Sequence, residues 1–194
     1  MTGYSESMTV TSAHPKPATD AAFRQQLERD AVWERMISPG TRVPDLPLLE
    51  ADLGPIFLHR LLDTGPVVLI FFGHAGSPGS ADALAAYEKD LRGLDAHLVA
   101  VSPQRPERLA ELKHRLDLSG LLVAADPRHT LIDAFNLGYS SPESAPALAT
   151  GRSTLPYPAV VVVDRTATVR FTDVSADPSA RTGAAAIIEA VTAL

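Results

Sequence analysis

The chain has 194 residues, is 45% hydrophobic and 21% charged, and carries a formal net charge of −6, which suits one soluble domain with a substantial core. The acidic balance and the lack of a Lys/Arg-rich run argue against a nucleic-acid partner, and no apolar stretch approaches the roughly 20 residues that cross a bilayer. There is no cysteine, which excludes disulfides, thiolate metal sites and every thiol reaction.

The first 19 residues are small and polar with two prolines, and lack the charged and apolar regions of a signal peptide. They read as a disordered leader, and the protein as cytoplasmic. Phe23, Leu27, Ala31 and Ile37 recur near helical spacing, predicting a helical extension over 20–40 that begins with Asp20 as N-cap and ends at Ser38-Pro39-Gly40. Its role is to dock on the main domain or on a second subunit, and Trp33 reads as part of that contact. The remainder, 41–194, reads as one domain.

Leu48–Leu62 reads as a strand, a Gly54-Pro55 turn and a second strand or short helix. Pro66–Phe72 is a buried core strand. Ala81–Leu94 carries Leu84, Tyr87, Leu91 and Leu94 on one helical stripe. Strands follow at His97–Ser102 and Leu121–Ala125, with helices at Pro106–Leu116 and Arg128–Phe135. Gly138–Leu155 reads as a long loop, Tyr157–Asp164 and Thr168–Asp173 as a hairpin, and Ser179–Ala193 as the closing helix. This alternation predicts an α/β fold: a central mixed sheet with helices on both faces and an antiparallel part after the loop.

The strand VVLIFF leads through Gly73-His74-Ala75-Gly76-Ser77-Pro78-Gly79-Ser80 into a helix. Together with VPDLPLLEADLGPIFLHRLLDTGPVVLIFF, HLVAVSPQRPERLAELKHRLDL, LLVAADPRHTLIDAFNLG and LPYPAVVVVDRTATVRFTDVSADPSAR, this resembles the peroxiredoxin-like proteins of the alkyl hydroperoxide reductase and thiol-specific antioxidant family, within the thioredoxin fold. In that family the corner commonly reads R-G-x-W-C-P-x-C. Alignment on Pro78 puts Ser77 at the first cysteine and Ser80 at the second, with Gly73 and Gly76 at the arginine and tryptophan. The resemblance also implies a cis bond between Tyr157 and Pro158, facing the corner, and a homodimer.

Peroxide reduction needs a thiolate that becomes a sulfenic acid, and serine has no such oxidation ladder. A helix N-terminus contributes at most about 2 kcal/mol, far too little to make Ser77 an alkoxide when one pKa unit is about 1.4 kcal/mol. Thiol peroxidase activity is therefore excluded. Ser77 followed by Pro is also an ordinary helix start. Kept as a site, the corner offers His74 and Ser77 as candidate catalytic residues, with His74 as acid or base. Gly73, Gly76, Ser80, Tyr157 and Pro158 are the candidate ligand-binding residues, and Tyr139 offers a further aromatic wall. Three glycines free space where bulkier residues stood, which favours a small organic ligand and a non-redox, cofactor-independent reaction of specialised metabolism. A non-catalytic dimeric interaction protein is the alternative. The histidines show no metal spacing, so no metal is expected. No G-x-S-x-G string supports a hydrolase. Asp45, Asp126 and Asp164 fall at element ends, where capping and turn roles are expected.

Overall fold

The computed structural model describes residues 20–177 and 180–194; the predicted leader, and Ser179 at the predicted start of the last helix, lie outside the described residues. Seven strands form one sheet in the order β2-β1-β5-β4-β3-β8-β9. They are β1 (Pro47–Glu50), β2 (Gly54–Phe57), β3 (Val67–Phe71), β4 (His97–Ser102), β5 (Leu122–Ala125), β8 (Ala159–Val163) and β9 (Val169–Val174). β3, β4 and β5 run parallel, whereas β8, β9 and the β1–β2 hairpin are antiparallel to their neighbours. The mixed sheet expected from the sequence is the one observed.

Strand alternation sorts the central residues onto two faces. Val67, Leu69, Phe71, Val99, Val101, Val161 and Val163 face a core completed by α1 (Asp20–Arg29), α2 (Val32–Arg35), α3 (Leu58–Leu62) and α6 (Thr130–Ala134). Val68, Ile70, Ala100, Val123, Val160 and Val162 face a second core under α4 (Pro78–Asp90), α5 (Pro106–Leu116) and α8 (Ala184–Thr192). Because both faces are covered, β3 and β8 are buried at every position, which explains their unbroken apolar runs.

The N-terminal extension is two helices rather than one. Ala31 sits in the left-handed region at φ 46° and ψ 44° and separates α1 from α2. The break lets Asp30 meet the domain: Tyr157 donates to Asp30 Oδ2 at 2.6 Å, and Arg35 donates to the Asp30 carbonyl and to that of Gly138. Burial pushes the Asp30 carboxyl upward, but bonds from Tyr157 and Gln26 and the charges of Arg35 and Arg29 outweigh it and hold the group below its usual range. Phe23 and Leu27 enter the first core, whereas Trp33 is 46% exposed and does not dock on the main domain.

The predicted loop over 138–155 is structured. It holds the β6–β7 hairpin (Gly138–Ser140 with Thr154–Pro156), a short 3-10 turn at Pro142–Ser144 and the helical turn α7 (Ala145–Leu148). These pieces have no strong local periodicity; Tyr139 and Leu155 pair only because the hairpin closes on the core. The turn roles expected of the aspartates hold. Asp45 accepts from the His59 N–H at the start of α3, Asp126 accepts three N–H groups at the start of α6, and Asp164 accepts from Thr166 and Thr168. Among the described residues no helix is long and apolar enough to cross a membrane.

Leu27→Ala is expected to lower the unfolding free energy in a urea titration by about 2–5 kcal/mol, as large-to-small core changes do. Trp33→Ala should shift it by no more than about 0.5 kcal/mol, the usual range for a surface site.

Candidate functional site

The sheet turns into α4 at the end of β3, and β4 supplies the side chains that hold this turn. Phe72 still pairs with β4, its N–H reaching the Val101 carbonyl at 3.0 Å. Beyond it, Ser102 Oγ donates to the Gly73 carbonyl at 2.9 Å. The Gln104 side chain accepts from the Ala75 N–H at 2.6 Å and donates to the Ala147 carbonyl on α7 at 2.9 Å. Arg115 of α5 donates to the Ala75 carbonyl. Ser102 and Gln104 are both buried, so the V-S-P-Q string is a brace for the corner.

Ser77 precedes α4 in extended conformation with a proline in the first turn, as the sequence suggests. Its hydroxyl makes no capping bond, which corrects that part of the reading; instead its carbonyl accepts from the Ala81 N–H at 3.2 Å. The N–H groups of Gly79 and Ser80 thus stand in a first turn that has no carbonyl for them.

A cavity of about 50 Å³ lies against this turn, lined by Gly73, Gly79, Ser80, Pro158, Tyr87 and Arg181 among others. Pockets for drug-sized ligands hold about 300–1,000 Å³, so this cavity admits a head group or a few waters. The Arg181 guanidinium lies over the Tyr87 ring at 5.2 Å and donates from Nη2 to Asp90 at 2.8 Å. Its Nη1 is buried with no partner among the described residues. Burial raises the Tyr87 phenol above its ordinary pKa, and its hydroxyl donates to the Thr182 carbonyl at 3.2 Å.

Of the residues expected at the site, Gly73, Ser80 and Pro158 line this cavity and His74, Gly76, Ser77 and Tyr157 do not. His74 and Ser77 are close in the loop, the Ser77 N–H donating to the His74 carbonyl at 3.1 Å. The His74 ring lies beside Gly76, where an added Cβ would come within 3.3 Å of Nδ1. That nitrogen is buried without a partner among the described residues, and burial lowers the ring's pKa. Tyr157 is fully buried and points the other way, stacked on Tyr139 at 4.4 Å and edge-on to Phe23 at 5.6 Å. Burial pushes its phenol far up, and that of Tyr139 to about 12. These aromatics anchor α1 and do not wall the corner.

The bond between Tyr157 and Pro158 is trans, not cis. Trans is the favoured isomer for X-Pro; the Tyr157 N–H donates to the Leu137 carbonyl and the Pro158 carbonyl accepts from the Ser175 N–H. Tyr87 had only the signature of a buried helix stripe, and Arg181 fell within the segment read as the closing helix, which begins only at Ala184, so their convergence was not readable from spacing. No side-chain hydrogen bond links the His74 ring to Ser77, Ser80 or a carboxylate among the described residues, and no three metal-ligating side chains gather there.

Parallel central strands, an antiparallel hairpin beside them and an α4 N-terminus at the end of β3 define a thioredoxin-like protein. The chain belongs to the AhpC/TSA family, whose model matches residues 39–172. Similar solved structures include peroxidoxin BcpB from Mycobacterium tuberculosis, at 20% identity and TM-score 0.68, covering 81% of this chain and 98% of that one. Reduced Prx3 from Vibrio vulnificus is 19% identical with TM-score 0.68, covering 81% and 99%. A peroxiredoxin-like protein from Aquifex aeolicus is 15% identical with TM-score 0.66, covering 81% and 88%. No curated protein sequence matches the chain. The match with peroxiredoxins bears out the expected fold and family, in a chain with no cysteine.

Gln104→Ala strips partners from two backbone groups. It should cost about 1–3 kcal/mol per orphaned group, with faster amide exchange at Ala75. Burial also favours the neutral rings of His74 and His129 in the folded state. Their contribution to stability is complete above the ordinary imidazole pKa near 6.5 and shrinks as pH falls below it. His74→Gln should therefore flatten the loss of stability measured between about pH 6.5 and 5.

Proposed function

We propose that this is a cysteine-free, cytoplasmic peroxiredoxin-like protein that binds a small organic molecule at the former active-site corner and carries out no thiol chemistry. The observation that carries the reading is the cavity at the first turn of α4, lined by Gly73, Ser80, Pro158 and Arg181. Arg181 among the lining residues offers a charged donor to a bound acceptor. Ser80 stands in the cavity where a nucleophile would be presented, but nothing activates it. Any reaction is then non-redox and needs no cofactor; it rests on holding a substrate in reactive geometry, as in a tailoring step of specialised metabolism. His74 and Ser77 follow the lining residue Gly73 in the same turn but do not line the cavity.

A second reading, a dimeric interaction protein, draws support from Trp33, Leu53 and Phe57, large apolar side chains left exposed. It predicts a stable dimer that dissociates on Trp33→Glu or Phe57→Glu, with no retained ligand.

Native mass spectrometry of the protein exposed to extracts of its own host separates the two. A retained small molecule that is lost on Ser80→Phe, which fills the cavity, supports ligand binding. Retention unchanged by Ser80→Phe, or none at all, removes the corner from consideration. Purified protein should also consume no hydrogen peroxide with dithiothreitol beyond the rate without protein; turnover at a peroxiredoxin-like rate would overturn the non-peroxidase reading.

A further inference from the structure

We infer that His129 and Arg152 form a pH-operated latch on the 138–156 segment, closed while the His129 ring is neutral and open once it is protonated. His129 precedes α6 with φ 63° and ψ 24°, a left-handed conformation that histidine adopts more readily than most residues. Its backbone is fixed on both sides: the N–H donates to the Asp126 carbonyl at 2.9 Å, and the carbonyl accepts from the Asp133 N–H at 2.8 Å. The residue is 2% exposed. Nε2 has no partner among the described residues, and Nδ1 lies 3.5 Å from Nη1 of Arg152. Arg152 itself is exposed. A guanidinium only donates, so Nδ1 accepts and the ring proton sits on Nε2. Protonation puts an N–H on both nitrogens. A donor and a second positive charge would then face Arg152 across 3.5 Å, so the contact cannot survive, and Arg152 is free to swing into water.

Burial and the charge of Arg152 disfavour the protonated ring, whereas Asp133 on α6 acts the other way. The Asp126 carboxylate is committed to the N–H groups of Thr130, Leu131 and Ile132. Burial pushes that carboxyl up to about 6, so acidification relieves it and works against opening. Closure is therefore complete above the ordinary imidazole pKa of about 6.5 and is lost as pH falls below it. The closed form also leaves His129 Nε2 and Thr150 Oγ1 buried without partners among the described residues. Such groups cost free energy, which narrows the gap to an open form that water can reach. Opening has a route to the corner. Ser153, next to Arg152, accepts from the Ser141 N–H at 2.7 Å. In the same segment the Ala147 carbonyl holds the Gln104 side chain that braces Ala75. Acid thus loosens the corner through a contact that lies outside it.

The test is amide hydrogen exchange of the full-length protein at Ser141 and Ala75 between about pH 7.5 and 5, expressed as protection relative to the intrinsic rate at each pH. Protection at Ser141 should fall on acidification, by up to about thirtyfold if only the open form takes the proton, and protection at Ala75 should fall with it. His129→Asn, a residue that tolerates the left-handed backbone, should abolish the dependence. His74→Gln should retain it, because the opening is local. Arg152→Glu probes the latch without touching the buried ring. A carboxylate accepts from a protonated imidazole, so protection at Ser141 should now rise as pH falls, a response that a merely structural Arg152 would not give. Nitrogen NMR of the ring should place the proton on Nε2 at neutral pH. Protection at Ser141 that is flat with pH in the unsubstituted chain, that falls equally in Arg152→Glu, or that becomes flat in His74→Gln overturns the latch. A ring proton on Nδ1 at neutral pH overturns it as well. A response at Ser141 with none at Ala75 overturns the link to the corner.

Discussion

The corner after β3 depends on one set of hydrogen bonds, made by Ser102 and Gln104 at the end of β4. A chain leaving a fully buried strand carries backbone groups that must find partners. The Gly73 carbonyl and the Ala75 N–H find them in two side chains that are themselves buried. Gln104 then reaches on to α7, so the corner, the β4–α5 turn and the hairpin segment over 138–156 are braced as one unit. The N-terminus of α4, the cavity and its lining groups all take their positions from that brace.

On this scaffold the chain carries no cysteine. A serine at the corner cannot follow a thiolate into oxidation. What lines the corner cavity is a helix start and a guanidinium lying over an aromatic ring. Such a frame stabilises negative charge whether or not a nucleophile is present. Family membership and chemistry therefore separate in this protein. The first rests on sheet order and the matched 39–172 segment, the second on which atoms face about 50 Å³ of space.

The N-terminal extension is attached from the opposite side of the sheet. Phe23, Tyr139 and Tyr157 form an aromatic cluster, and the Tyr157 hydroxyl joins Asp30. Tyr157 is next to Pro158, which lines the cavity, yet its ring serves α1. These adjacent residues, in the link between β7 and β8, have two duties: one faces the corner, the other holds the extension.

Much of the fold was legible because it is written in local periodicity. The apolar runs of β3, β4 and β8, the stripe on α4 and the turn aspartates all follow from residue type at short spacing. The break at Ala31 was not legible, since alanine is the best helix former and the left-handed turn is held by contacts with Tyr157 and Gly138. The hairpin hidden in 138–156 was missed for the same reason. At the site, the sequence by itself determined what the corner cannot do, because the absence of cysteine is a statement about composition. It also determined that a helix starts there after a glycine-rich turn. Only the tertiary structure decided that Ser80 and not Ser77 lines the cavity, that the Tyr157 ring turns away from it, and that Arg181 meets Tyr87. Those outcomes depend on groups far apart in the chain, such as Tyr157 and Asp30 at a separation of 127 residues, and packing, not spacing, chooses which of them meet.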